Sequence, residues 1–120
     1  NLLQIAERVS ALREKADAKT LETDDLSDAS FTVANLGSRG VERFTTVVHP
    51  PQAASLALGA ARQRPVVQGD QLGIASTMYA TLSCDHRACD GQQAAAYLNA
   101  LRQRLENPER LVTGLRVPFS

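Results

Sequence analysis

The chain has 120 residues, thirteen basic and thirteen acidic side chains, a formal net charge of zero and 43% apolar residues. Charges so balanced and intermixed give no basic face for nucleic acid, and no apolar run approaches the roughly 20 residues that cross a bilayer. Two cysteines, Cys84 and Cys89, are too few for a disulfide framework, which makes a reducing, cytoplasmic setting the expectation.

In chain order, residues 1–19 read as an amphipathic helix. Leu2, Leu3, Ile5, Ala6, Val9 and Leu12 recur at helical spacing, and Glu7, Arg8, Arg13, Glu14, Lys15, Asp17 and Lys19 fill the polar face. The first residue is Asn1 and the helical pattern is already under way there, so an incomplete domain is expected, with apolar faces that await a partner segment. Thr23-Asp24-Asp25-Leu26 supplies cap formers for a short helical turn. Phe31–Asn35 reads as a strand, with Phe31, Val33 and Asn35 on one side and Thr32 and Ala34 on the other. Gly37 and Gly40 bracket a turn. A small-residue strand is predicted over 53–61. Val66-Val67, a Gln68-Gly69-Asp70 turn and the run from Leu72 to Cys84 read as a hairpin. Asp90 and Gly91 then open a helix over 92–105, with Ala94, Ala95, Leu98, Leu101 and Leu105 as its buried stripe, and Pro108 ends or restarts it.

The chemistry concentrates at the last strand-to-helix turn, Asp85-His86-Arg87-Ala88-Cys89-Asp90-Gly91. A histidine between two acids at such a turn can be held in one tautomer and aimed at a ligand, which suits a general base. On the residues alone, a structural histidine capping the turn is the competing reading. Cys84, His86 and Cys89 match no common zinc spacing and lack a fourth ligand, so no metal site is expected. Lys15 reads as a solvated lysine on a helix face, and His49 as a loop residue ahead of Pro50-Pro51. Gly37-Ser38-Arg39-Gly40 is too weak a signal to assign a phosphate loop, and cofactor-binding residues stay unassigned.

Four blocks extend the pattern in order along the chain: Phe31-Thr32-Val33-Ala34-Asn35-Leu36-Gly37, the segment Pro50-Pro51-Gln52-Ala53-Ala54-Ser55-Leu56-Ala57-Leu58-Gly59-Ala60, Leu82-Ser83-Cys84-Asp85-His86-Arg87, and Leu105-Glu106-Asn107-Pro108-Glu109. With D-H-R-x-x-D-G they resemble the dihydrolipoamide acyltransferases, the core subunits of 2-oxo-acid dehydrogenase complexes, whose catalytic domain is related in fold to chloramphenicol acetyltransferase. The resemblance implies an α+β fold, an antiparallel or mixed sheet packed with helices, chloramphenicol-acetyltransferase-like, with residues 1–120 as the C-terminal half of the catalytic domain. It implies a coenzyme A-dependent acyltransferase that moves an acyl group between a thioester and the thiol of dihydrolipoamide or coenzyme A. His86 would remove the thiol proton, Asp90 would assist, and Asp85 and Arg87 would brace the turn. Lipoate enters only through a lipoyl domain upstream or on a partner. The implied partners are the missing N-terminal half, on the same or another chain, and further copies in a homotrimer or larger assembly with active sites between subunits. Leu115 to Ser120 is a candidate element of that assembly; nucleic acid and membrane are not expected partners.

One position departs from the resembled family. Where its segment carries a serine or threonine that donates to the oxyanion, this chain has Ala34, and losing such a donor typically costs ~10²–10³ in rate. Thr32 points to the same face but sits about 7 Å back along the strand, and Ser38 lies beyond the turn. Two further readings therefore stand beside thioester exchange: acyl transfer to a hydroxyl or amine of a small molecule, and a non-catalytic trimeric scaffold.

Overall fold

The structure, a computed structural model, describes residues 1–112; Leu115 to Ser120 lie outside the described residues. The chain divides into two compact units, one comprising Asn1–Asp28 and the stretch from Asn99, the other Ala29–Leu98.

In the first unit, helix α1 (Leu2–Asp17) starts on a reciprocal cap. The Asn1 side chain accepts from the Gln4 backbone N–H at 3.0 Å, and the Asn1 amine donates to Gln4 Oε1 at 2.7 Å, satisfying donors that the first turn leaves without partners. The helix stops where Lys19 takes a φ of 57°. The short helix α2 (Thr23–Leu26) follows. Lys15 is more than a solvated lysine: its Nζ donates to Asp25 Oδ2 at 2.9 Å. That bond raises the Lys15 pKa and lowers that of Asp25. Neither helix buries a side chain.

The second unit is built on two sheets. Strands β1 (Phe31–Asn35), β2 (Ala54–Leu58) and β5 (Ala80–Cys84) form a mixed sheet in the order β1-β2-β5, with β1 parallel and β5 antiparallel to β2. The parallel pair requires a long crossover, supplied by residues 36–53, which begin with a single 3₁₀ turn, Gly37–Arg39, closed by Gly40 at φ 77°. The predicted strand over 53–61 contracts to Ala54–Leu58: the Gly59 N–H still donates to the Tyr79 carbonyl, one rung beyond the Leu58–Ala80 pair, but the Ala60 N–H turns to the Val41 carbonyl in the crossover. As the middle strand, β2 is paired on both edges, and it carries most of the core: Ala54, Ser55, Leu56 and Ala57 are buried, as is Ala60. A Cβ at Gly59 would lie 1.9 Å from the Glu42 carbonyl oxygen, so only glycine admits this approach of the crossover.

The hairpin pairs β3 (Arg62–Gln68) with β4 (Gln71–Thr77) around Gly69-Asp70. The predicted run from Leu72 to Cys84 is two strands, not one. Met78 and Tyr79 interrupt it, because β4 pairs with β3 while β5 returns to β2. Tyr79 marks the junction: its ring takes the guanidinium of Arg43 at 4.0 Å and that of Arg64 at 4.8 Å. Glu42 holds Arg64 at 2.8 Å and Arg62 at 3.4 Å, fixing the hairpin base to the crossover. Pro65, Val67, Leu72 and Ile74 share one exposed hairpin face.

Helix α3 (Gly91–Glu106) agrees with the predicted 92–105, and α4 (Glu109–Val112) follows Pro108. Its expected stripe is only half realised. Ala94, Leu98 and Leu101 are half-buried, whereas Ala95 and Leu105 are exposed. Within the sheet unit Tyr97 packs on Phe31 at 5.8 Å between ring centroids, so an aromatic pair contributes to the contact that the aliphatic stripe was expected to make.

Candidate active site at the Asp85–Asp90 turn

Strand β5 delivers the turn. The Asp85 N–H donates to the Ala53 carbonyl at 2.9 Å, extending the sheet by one rung, and the Asp85 carbonyl then accepts from Ala88 and Cys89 at 2.8 and 3.1 Å. The chain folds back so that His86, Arg87, Ala88 and Asp90 are exposed while Cys89 turns inward to half-burial. The Asp85 carboxylate grips Arg87: it accepts from the Arg87 backbone N–H at 2.9 Å, from Nε at 3.0 Å and from Nη2 at 2.7 Å. The hydrogen bonds to Arg87 hold the Asp85 pKa down at about 2.

Asp90 starts α3. Its Oδ1 accepts from the Gln93 N–H at 2.8 Å, and its own N–H donates to Gln93 Oε1 at 3.0 Å, a reciprocal capping box. Both acids beside His86 are therefore engaged elsewhere, Asp85 on Arg87 and Asp90 on the helix start. Asp85 and Arg87 are bonded to each other, the arrangement that a turn brace requires. In this chain the two acids fix the backbone on either side and leave the ring exposed. The capping pair was missed in the sequence, although Asp-x-x-Gln is a readable cap signal.

Ala34 lies on β1 opposite Ala57, which is itself opposite Thr81. Cys84, at the other end of β5, is level with Ala54 and Phe31. Two strand spacings and three residues of rise put Ala34 about 14 Å from Cys84, and the chain then runs on past Cys84 to His86. One copy of the sheet does not bring Ala34 and His86 together. The other hydroxyls are placed as follows. Thr32 donates to Gln52 Oε1, Ser38 is exposed in the 3₁₀ turn, and the Ser55 hydroxyl is buried without a partner. Gln52 and Ser55 received no site role from the sequence. Among the described residues no three His, Cys, Asp or Glu side chains gather to hold a metal ion, and no helix is long and apolar enough to cross a membrane. His49 is exposed in its loop.

Comparison with known proteins gives this geometry its context. A structure of Azotobacter vinelandii dihydrolipoamide acetyltransferase superposes with a TM-score of 0.86 at 34% identity, over 93% of this chain and 46% of that one. It comes from an investigation of a serine, a histidine and an asparagine in the catalytic mechanism of that enzyme. A probable dihydrolipoamide acetyltransferase from Listeria monocytogenes matches with a TM-score of 0.82 at 33% identity, over 86% of this chain and 44% of that one. In sequence, the acetyltransferase component of the acetoin cleaving system of Bacillus subtilis is 37% identical over 93% of this chain and 28% of its own length. Component 3 of the mitochondrial pyruvate dehydrogenase complex of Arabidopsis thaliana is 45% identical over 92% and 21%. The chain thus spans about a quarter of the length of these curated relatives and under half of the solved chains.

A mixed sheet joined to helices, superposing this closely on those cores, is the fold of an acyltransferase catalytic domain. Residues 1–113 match the family described as 2-oxoacid dehydrogenases acyltransferase (catalytic domain), and the chain belongs to that family.

Proposed function

We propose that residues 1–120 are the C-terminal half of a catalytic domain that transfers an acyl group between coenzyme A and dihydrolipoamide, with His86 as general base. One observation carries the reading. In the Azotobacter enzyme the investigated serine precedes the histidine by 52 residues and the asparagine follows it by four. The same intervals here select Ala34, His86 and Asp90, the three positions the motif selects. His86 takes the proton of the attacking thiol, whose ordinary pKa near 8.5 leaves it mostly protonated at neutral pH. The thiolate attacks the thioester carbonyl, and the proton passes to the departing thiol as the tetrahedral intermediate collapses. Asp85 and Arg87 brace the turn, and Asp90 fixes its exit while standing beside the base.

The distance between Ala34 and His86 within one sheet supports a site shared between two copies, and hence a homotrimer or larger assembly. Lipoyl groups reach that site on a domain elsewhere in the protein or on a partner, and a cytoplasmic location fits the unpaired cysteines. The decisive experiment is exchange between acetyl-coenzyme A and dihydrolipoamide by the full-length protein in its native assembly, with and without His86→Ala. Turnover that survives the substitution excludes His86 as the base. Ala34 favours a second reading, a scaffold without activity. An assembled protein that binds coenzyme A yet transfers nothing would establish it.

A further inference from the structure

Outside the proposed chemistry, one cluster of reactive groups stays unused. Cys84 closes β5 and Cys89 is the side chain that the turn folds inward; both thiols are free and half-buried. The hydrogen bond from the Cys89 N–H to the Asp85 carbonyl returns residue 89 to the strand end that carries Cys84. Burial first, then the neighbouring Cys89 thiol, raises the Cys84 pKa. Two half-buried thiols at the two ends of one closed turn are candidates for a disulfide, which forms when the sulfurs approach closely. Neither is needed for the turn, whose hydrogen bonds come from Asp85, Arg87 and Asp90.

We propose that Cys84 and Cys89 form a reversible disulfide site, oxidised by low-molecular-weight disulfides, that closes residues 84–89 into a ring containing His86. The thiolate of Cys89 attacks one sulfur of the small disulfide, breaks its S–S bond and expels one thiolate, leaving a mixed disulfide on Cys89. Cys84, whose pKa burial raises, reacts second. It releases its proton to solvent, attacks the Cys89 sulfur and expels the other thiolate. One S–S bond is lost from the small molecule and one forms in the protein. Two electrons and two protons leave the cysteines, and two small-molecule thiols appear.

The test uses the full-length protein in its native assembly, equilibrated without oxygen in mixtures of oxidised and reduced glutathione, then alkylated and mapped by mass spectrometry. The expected result is a Cys84–Cys89 linked peptide lighter by two hydrogens, with both sites lost to alkylation together and restored by dithiothreitol. Cys89→Ser should abolish the internal loss and leave Cys84 alkylatable or carrying one glutathione. Wild-type protein that keeps both thiols, carries separate glutathione adducts at both, or links either cysteine to any other residue overturns the proposal. None of these readouts depends on acyl transfer, so the proposed activity can fail without this inference failing, and the reverse.

Discussion

At the residue scale the proposed reaction turns on two side chains, one present and one lacking its hydroxyl. His86→Ala should lower acyl exchange by ~10²–10⁴, the usual contribution of a positioned general base. Because the ring is exposed and the turn is bonded through its neighbours, the thermal midpoint should stay near that of the parent; a large drop would make His86 a structural residue instead. Ala34→Ser restores the hydroxyl to β1 and should raise exchange at least ~10-fold at saturating coenzyme A, where binding changes cannot mask the chemical step. Thr32 does not fill the role, since its hydroxyl is spent on Gln52. An unchanged rate in an already competent protein would assign the donor to another group. Asp85 gives a pH signature. With its pKa held near 2 by Arg87, against 3.8 in the absence of partners, its ion pair supports the turn at every pH above about 4 and loses that contribution as pH falls toward 2. Arg87→Ala should return the Asp85 carboxyl titration, followed by NMR, toward the ordinary value. A midpoint that stays near 2 would mean that another group holds the charge.

At the element scale the most instructive residue is Asp90, which serves helix α3 as well as the proposed site. Asp90→Ala removes the acceptor for the Gln93 N–H and should cost about 1 kcal/mol of stability. Asp90→Asn keeps an acceptor there, so it should unfold close to the parent; if exchange falls with Asn while stability holds, the carboxylate charge itself assists catalysis. Gly59 is the other element-level constraint. With the Glu42 carbonyl 1.9 Å from where a Cβ would sit, Gly59→Ala should destabilise by about 3 kcal/mol through overpacking, read as a lowered denaturant midpoint. The helices and β1 were legible from the sequence because cap formers and a period of 3.6 or 2 mark them locally. The split of Leu72–Cys84 was not, because β-propensity runs through Met78-Tyr79 and only the choice of partner strand breaks the run. The strand over 53–61 was overextended for the same reason: Ala60 looks like strand but hydrogen-bonds to Val41 in the crossover instead of continuing the ladder with β5. At the turn, residue types and order located His86, the Asp85–Arg87 brace and Asp90 at the helix start, and the Asp-x-x-Gln spacing made the Gln93 cap readable. That each acid is fully engaged there, with no hydrogen bond to His86, is set by the geometry of the turn.

At the scale of the whole molecule, the sheet register and the distribution of apolar surface lead to the same requirement. Among the described residues the buried side chains are few, Ala54, Ser55, Leu56, Ala57 and Ala60, while Val67, Leu72 and Ile74 on the hairpin are 71%, 81% and 78% exposed. So little buried apolar area offsets little of the conformational entropy of 120 residues. Residues 1–120 expressed alone should therefore unfold without a sharp cooperative transition, and co-expression with the rest of the catalytic domain should restore one. A cooperative melt of the isolated monomer would contradict this. The register is consistent with the proposed further copies, because it sets Ala34 well apart from Cys84, the strand end that leads to His86. That separation can be tested by mixing chains. The double variant Ala34→Ser with His86→Ala has no base, and the parent has no hydroxyl at position 34. If the site is shared, co-assembling the two from denaturant creates interfaces where the serine of one chain meets His86 of the other. Provided that Ala34→Ser alone accelerates exchange, such hybrids should exceed the rate of an equal amount of parent, in proportion to the mixed interfaces formed. A rate that never rises above the parent's own contribution would place both groups of each site in a single chain and overturn the shared site.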